Sequence, residues 1–147
     1  GELYQRGGNY AVTRNAEGSW RILCHNFKHF NYQYYLFEDE QLHLQQLDTL
    51  LADTSALELT FDLPAAPGER FRVKFSRVGR DCGSVQDLWQ KMGSRRQPDS
   101  AELADLARSS SPEITLGTLT EHGGTVRLRA ELEHNEILLI ILTPQED

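Results

Sequence analysis

Apolar and polar residues alternate strictly along Leu57-Glu58-Leu59-Thr60-Phe61-Asp62-Leu63, the period-two pattern of a strand that buries one face and wets the other. The pattern recurs from Arg70 to Ser76, where Phe71, Val73 and Phe75 oppose Arg70, Arg72, Lys74 and Ser76. It returns from Thr125 to Leu132, where Val126, Leu128, Ala130 and Leu132 oppose Thr125, Arg127, Arg129 and Glu131. Pro64 and Pro67-Gly68 lie between the first two segments and predict a turn that pairs them as an antiparallel hairpin. Gly123-Gly124 reads as the turn from a strand around Ile114 to Leu119, and His134-Asn135 turns the chain into the apolar run Ile137 to Leu142. Being apolar on both faces, that last strand is predicted to lie centrally, covered on each side. Near the start, Tyr10 to Arg14 and Ser19 to His25 flank Asn15-Ala16-Glu17-Gly18, a polar connection suited to another hairpin. The expectation is a mainly β fold: an antiparallel β-sandwich of about seven or more strands with one or two short helices, residues 1–147 forming a single domain.

Helical spacing interrupts the strands. Val85, Leu88, Trp89 and Met92 fall at i, i+3, i+4 and i+7 and form one apolar stripe, which predicts a structural helix that buries Leu88 and Trp89 against the sandwich. Ser84 is placed to cap its start, Asp87 sits near its positive end and Gly93 is placed to end it. A second short helix is predicted after Pro98-Asp99-Ser100, using Leu103, Leu106 and Ala107 and breaking at the serines before Pro112. Glu40 to Ala52 fits either a helix through Leu47, Leu50 and Leu51 or a long loop with one turn. Neither an internal repeat nor a low-complexity tract is present.

Composition narrows the class. The chain has 147 residues, with 15 Lys and Arg against 22 Asp and Glu, a net charge of −7. A chain of this length buries roughly 68 to 70% of its unfolded surface, so its core needs no metal or disulfide staple. Cys24 and Cys82 form no CxxC pair, which predicts a reducing, cytoplasmic setting. No apolar run reaches the roughly 18 residues of a membrane span, and the polar opening Gly1 to Asn9 lacks the apolar centre of a signal peptide. An acidic balance without a concentrated basic stripe argues against a nucleic-acid-binding surface, which rests on phosphate neutralisation.

Six of the thirteen aromatic residues, Phe27, Phe30, Tyr32, Tyr34, Tyr35 and Phe37, crowd into eleven positions. Rigid aromatic faces serve as core filler, as anchors for a neighbouring domain or as sugar platforms. As an interface, the cluster would be bordered by Glu38-Asp39-Glu40, and a chain lacking its neighbour would expose part of it and self-associate as a homo-oligomer. His25 and His29 flank a short stretch beside Cys24 and offer three soft ligands, one short of a structural zinc site. No metal or other cofactor is therefore assigned. Nor is a nucleophile: there is no Gly-x-Ser-x-Gly and no Gly-rich phosphate loop before a helix. Glycoside hydrolysis needs two carboxylates about 5 to 9 Å apart across a cleft, and no such pair can be picked from these scattered acids, so no catalytic residue is assigned. The cation-rich Lys91 to Arg96 stretch reads as a solvated helix end.

Three runs together carry a resemblance. Gly8-Asn9-Tyr10-Ala11-Val12-Thr13-Arg14, Ile22-Leu23-Cys24-His25-Asn26-Phe27-Lys28-His29-Phe30-Asn31-Tyr32 and Gly83-Ser84-Val85-Gln86-Asp87-Leu88-Trp89-Gln90-Lys91-Met92-Gly93 resemble the C-terminal β-sandwich of glycoside hydrolase family 39, the β-xylosidase family, and the similarity runs on through Ser111-Pro112-Glu113-Ile114 to the final strand. The resemblance implies that this domain follows a (β/α)8 barrel holding both catalytic glutamates. Neither glutamate is expected to have a counterpart here, the Asn-Glu motif of the acid/base residue is read as absent, and the segment alone is expected to be inactive. The second run, in its Cys24-to-Tyr32 part and with Glu38-Asp39-Glu40 after it, resembles more closely the version in bacterial AraC-type transcription regulators, in which a cupin-like sensor and a helix-turn-helix pair precede a family 39-like barrel and sandwich. Xylosidases carry a Leu-Tyr-Asn-Tyr-like version. The implied partners are an upstream barrel in the same chain and DNA reached only through other domains of the parent, with no membrane; the alternative is the accessory sandwich of a xylosidase.

Overall fold

Two antiparallel sheets of unequal width enclose the core. In the computed structural model, which describes residues 1–37, 48–94 and 97–145, the strands are β1 (Glu2–Arg6), β2 (Tyr10–Arg14), β3 (Trp20–His25), β4 (Leu57–Pro64), β5 (Arg70–Val78), β6 (Glu113–Thr120), β7 (Thr125–Leu132) and β8 (Ile137–Pro144). Helices α1 (Val85–Lys91) and α2 (Ser100–Ser109) connect β5 to β6. The wide sheet has the order β1-β2-β3-β8-β5-β6, and the narrow one pairs β4 with β7. This is the mainly β sandwich with two short helices that the periodicity predicts. No helix among the described residues is long and apolar enough to cross a membrane.

The β2–β3 hairpin forms as expected, with Val12 opposite Ile22. Asn15 closes its turn by accepting the Ser19 N–H at 2.7 Å, and Gly18 takes φ +81°, a region closed to most side chains. The expected β4–β5 hairpin does not form. β4 pairs with β7, from Leu57 opposite Leu132 to Pro64 opposite Thr125, while β5 lies in the other sheet between β8 and β6. The segment from Pro64 to Glu69 instead crosses between layers. It runs beside the β6–β7 crossing, and the Glu121 carboxylate joins the two by accepting N–H groups from Gly68 (2.8 Å) and Gly124 (2.5 Å). Those bonds favour the ionised form and lower the Glu121 pKa. The physical reason for the difference is that alternation reports one buried face, which a hairpin neighbour and a strand in the facing sheet share equally.

β8 is central, as predicted, but only one of its faces is enclosed. Leu138, Ile140 and Leu142 are fully buried, whereas Ile137, Leu139 and Ile141, pointing outward, are half-buried. The inward set packs with Val12, Trp20, Ile22, Phe71 and Val73 of the wide sheet and with Phe61, Leu63, Val126, Leu128 and Leu132 of the narrow one. β1 shows no alternation that would announce it, and all five of its residues are exposed. A bulge between Leu3 and Gln5 turns Tyr4 edge-on to Trp20, ring centroids 4.9 Å apart.

Candidate functional site

Helix α1 begins and ends where the sequence places it: the Ser84 hydroxyl accepts the Asp87 N–H at 3.3 Å, and Gly93 adopts φ +89° just past the end. The burial expected of its stripe is not met. Val85 is exposed, Leu88, Trp89 and Met92 are half-buried, and none of the helix is in the core. Its main packing partner is α2, held by a capping box between Asp99 and Glu102 and burying only Leu106. Two short helices covering each other leave half of each stripe wet. The Glu40 to Ala52 question falls largely outside the described residues, as does the acidic run 38–40; the described part holds a 3-10 turn at Asp48–Leu50.

The aromatic loop starts from a buried polar pin. Beyond β3, the Asn26 side chain points inward, and its amide donates to the carbonyls of Ser55 (3.0 Å) and Leu132 (3.2 Å). Its backbone N–H donates to Glu136 O and its carbonyl accepts the Asn135 N–H. The chain is thus fixed between the two sheets before the aromatic residues begin. Lys28 pairs with Asp53 at 2.5 Å and donates to Ser55 Oγ at 3.1 Å; with the Ser55 N–H and hydroxyl, this holds the Asp53 carboxyl down at about 2. Backbone bonds from Asn31 to Leu50 and from Ala52 to His29 complete the frame.

On that frame the rings face out. Tyr32 and Tyr35 are 74% and 79% exposed, Phe27 and Phe30 are exposed, and Tyr34 is half-buried. Phe30 stacks on Tyr34 with centroids 4.1 Å apart and planes 8° apart, and Tyr35 meets Tyr34 edge-on. Leu36 and Phe37, with Gln33, Thr49 and Leu50, line a shallow groove alongside. The five aromatic residues singled out from sequence therefore share one loop, and they are not core filler.

The metal-like trio comes apart. Cys24 and His25 are consecutive in β3, so their side chains leave opposite faces of the sheet: Cys24 is in the core and His25 stacks outward on Phe27 at 4.7 Å. Burial pushes the Cys24 thiol up to about 11, which keeps it protonated and unreactive at neutral pH. Among the described residues no three His, Cys, Asp or Glu side chains converge. A polar cleft does lie beside the α1 entry, lined by Arg77, Arg80, Cys82, Glu113, His134 and Glu136, among others. The Asn-Glu motif read as absent is in fact present in the chain as Asn135-Glu136, and its glutamate lines this cleft. That glutamate is used by the fold: Glu136 forms an ion pair with Arg77 and accepts the Glu133 N–H at 2.9 Å. Burial also raises the Cys82 thiol pKa, so the cleft offers no activated nucleophile.

Folding gathers one feature that composition disperses. Arg21 on β3 and Arg70, Arg72 and Lys74 on β5 all point outward and are exposed on the wide sheet. The concentrated basic patch that the overall charge argues against does exist.

The sequence matches no protein-family model and no curated protein sequence. Its fold is shared with solved glycosidases. A monomeric β-xylosidase from Caulobacter crescentus CB15 superposes with a TM-score of 0.67 at 19% identity, over 96% of this chain and 27% of that one. The GH39 enzyme from Xanthomonas axonopodis pv. citri gives 0.70 at 13% identity, over 99% and 28%. A bacterial orthologue of human α-L-iduronidase gives 0.56 at 13%, over 97% and 22%. The chain thus spans about a quarter of the length of these enzymes. At such identities the likeness concerns the fold.

Proposed function

We infer that the chain is a non-catalytic C-terminal accessory sandwich that packs on an upstream family 39-like barrel in the same polypeptide. The observation that carries this reading is the coverage: almost all of this chain superposes on about a quarter of each larger glycosidase. The exposed aromatic loop supports it, because a rigid patch of that kind suits a contact with a neighbour. The Cys24-to-Tyr32 run, similar to the AraC-type version, favours a sugar-responsive transcription regulator as the parent. In that reading the parent is cytoplasmic, matching two free cysteines, and reaches DNA through other domains. The solved β-xylosidases favour the second reading, the accessory domain of a xylosidase.

Purifying the complete gene product decides between them. A regulator contains a helix-turn-helix pair upstream and retards its promoter DNA; a xylosidase starts directly into the barrel and cleaves an aryl xyloside. For either parent the 147-residue chain alone leaves the xyloside intact. Turnover by that chain that disappears on Glu136→Gln would overthrow the accessory reading.

A further inference from the structure

The cross-strand registers order the outer face of the wide sheet into rows. Leu23, Leu139, Ser76 and Ile114 stand side by side across β3, β8, β5 and β6, an uncharged row. The next outward row, about 7 Å along the strands, is Arg21, Ile141, Lys74 and Leu116, and Arg72 follows beside Thr143. Leu23, Ile114 and Leu116 are 48%, 55% and 67% exposed. Along these four strands no outward position holds Asp or Glu, in a chain that carries 22 of them. None of the ion pairs found among the described residues engages Arg21, Arg72 or Lys74. At the apolar end, His25 occupies an outward position and stacks on Phe27, so the face runs on into the aromatic loop.

We propose that this face is a docking surface for an acidic, amphipathic helical surface, whose apolar stripe covers Leu23, Leu139 and Ile114 and whose carboxylates meet Arg21, Arg72 and Lys74. The proposal rests on the accessory reading above and names what the neighbour must present: a (β/α)8 barrel wears its helices on the outside, and a helix with one apolar stripe and a charged flank matches an apolar row next to a basic one. Exposed apolar area of this extent on a sheet calls for a cover. A second copy of the chain is the wrong cover, because a two-fold contact would set the same cations against each other.

The test uses the complete polypeptide. Arg72→Glu/Lys74→Glu is compared with Asp62→Arg on the narrow sheet and with Tyr32→Ser/Tyr35→Ser in the aromatic loop, reading protease cleavage between barrel and sandwich. The near-ultraviolet signal of buried Trp20 reports that each variant is folded. The basic-face variant is expected to speed cleavage about tenfold or more, the factor carried by 1.4 kcal/mol, and high salt should reproduce part of the effect in the unaltered protein. Asp62→Arg should leave the rate unchanged. If the aromatic variant separates the domains and the basic-face variant does not, this proposal fails while the accessory reading stands; if neither does, the accessory reading fails as well. Phosphatidylserine vesicles or duplex DNA bound by the parent, and lost on Arg72→Glu/Lys74→Glu with no change in cleavage, would assign the face to a membrane or to nucleic acid and overturn the proposal.

Discussion

The two outer faces of the sandwich are built from the same kind of alternating strand and finish in opposite ways. On the narrow sheet Asp62 stands opposite Arg127, which reaches its two oxygens at 2.7 and 3.1 Å, and Arg129 pairs with Glu58 at 2.5 Å. The apolar side chains from Leu57 to Leu63 and from Val126 to Leu132 point inward, and both outward arginines meet a carboxylate across the strand pair, although Glu131 stands opposite Glu58. On the wide sheet the outward positions mix exposed leucine and isoleucine with cations that have no carboxylate beside them in any row. A face that satisfies its own charges needs only water. One that keeps apolar area and a single sign of charge carries an unfilled requirement, and that difference separates a solvated surface from a docking surface.

The largest expected effect contrasts the two sides of one strand. Ile140 and Leu139 are neighbours in β8, similar in size, one facing the core and one the wide outer face. Ile140→Ala should cost about 2 to 5 kcal/mol through lost transfer energy and the cavity left behind. Leu139→Ala, already half in water, should cost about 1 kcal/mol or less. Denaturant melts of the two variants check this, and equal losses would mean that the wide face is covered within the chain itself. A smaller effect is expected where the two sheets are joined. Asn26→Ala strands the carbonyls of Ser55 and Leu132 without their donor, which should cost about 1 to 3 kcal/mol; a change near zero would show that water replaces the amide.

The helix α1 stripe shows how far sequence alone could go. Period, cap and stop all lay in local residues, Ser84, Val85 to Met92 and Gly93, and local geometry followed them. What covers the stripe is a tertiary fact, and i, i+3, i+4 spacing reports only that one side is apolar. Trp89→Ala should accordingly lose about 1 kcal/mol rather than the several expected of a core tryptophan, measured by chemical unfolding of the chain. The same limit explains the strands. Alternation located β4, β5 and β7, but their partners depend on which layer each joins, and prolines at Pro64 and Pro67 marked a crossing as readily as a hairpin. The aromatic loop was visible as a cluster because it is contiguous. The basic face was not, because Arg21, Arg72 and Lys74 come together only through the pairing of β8 with β3 and β5.

The smallest effect sharpens the narrow side of the comparison. Hydrogen bonds from Arg127, with its positive charge, lower the Asp62 pKa. A carboxylate with a depressed folded pKa contributes stability that is present above its unfolded value, about 3.9, and that fades as pH falls through the folded value. Both groups are exposed to solvent, so the contribution is slight and screened by salt. Following the Asp62 carboxyl by nuclear magnetic resonance should give a midpoint below the free value, and Arg127→Ala should return it toward that value. The wide face supplies the control: no carboxylate neighbours Lys74 in its row, so Lys74→Ala should move no carboxyl midpoint in the chain. A carboxyl that did shift would reveal an acid lying over the wide sheet, and the contrast between a finished face and an unfinished one would be lost.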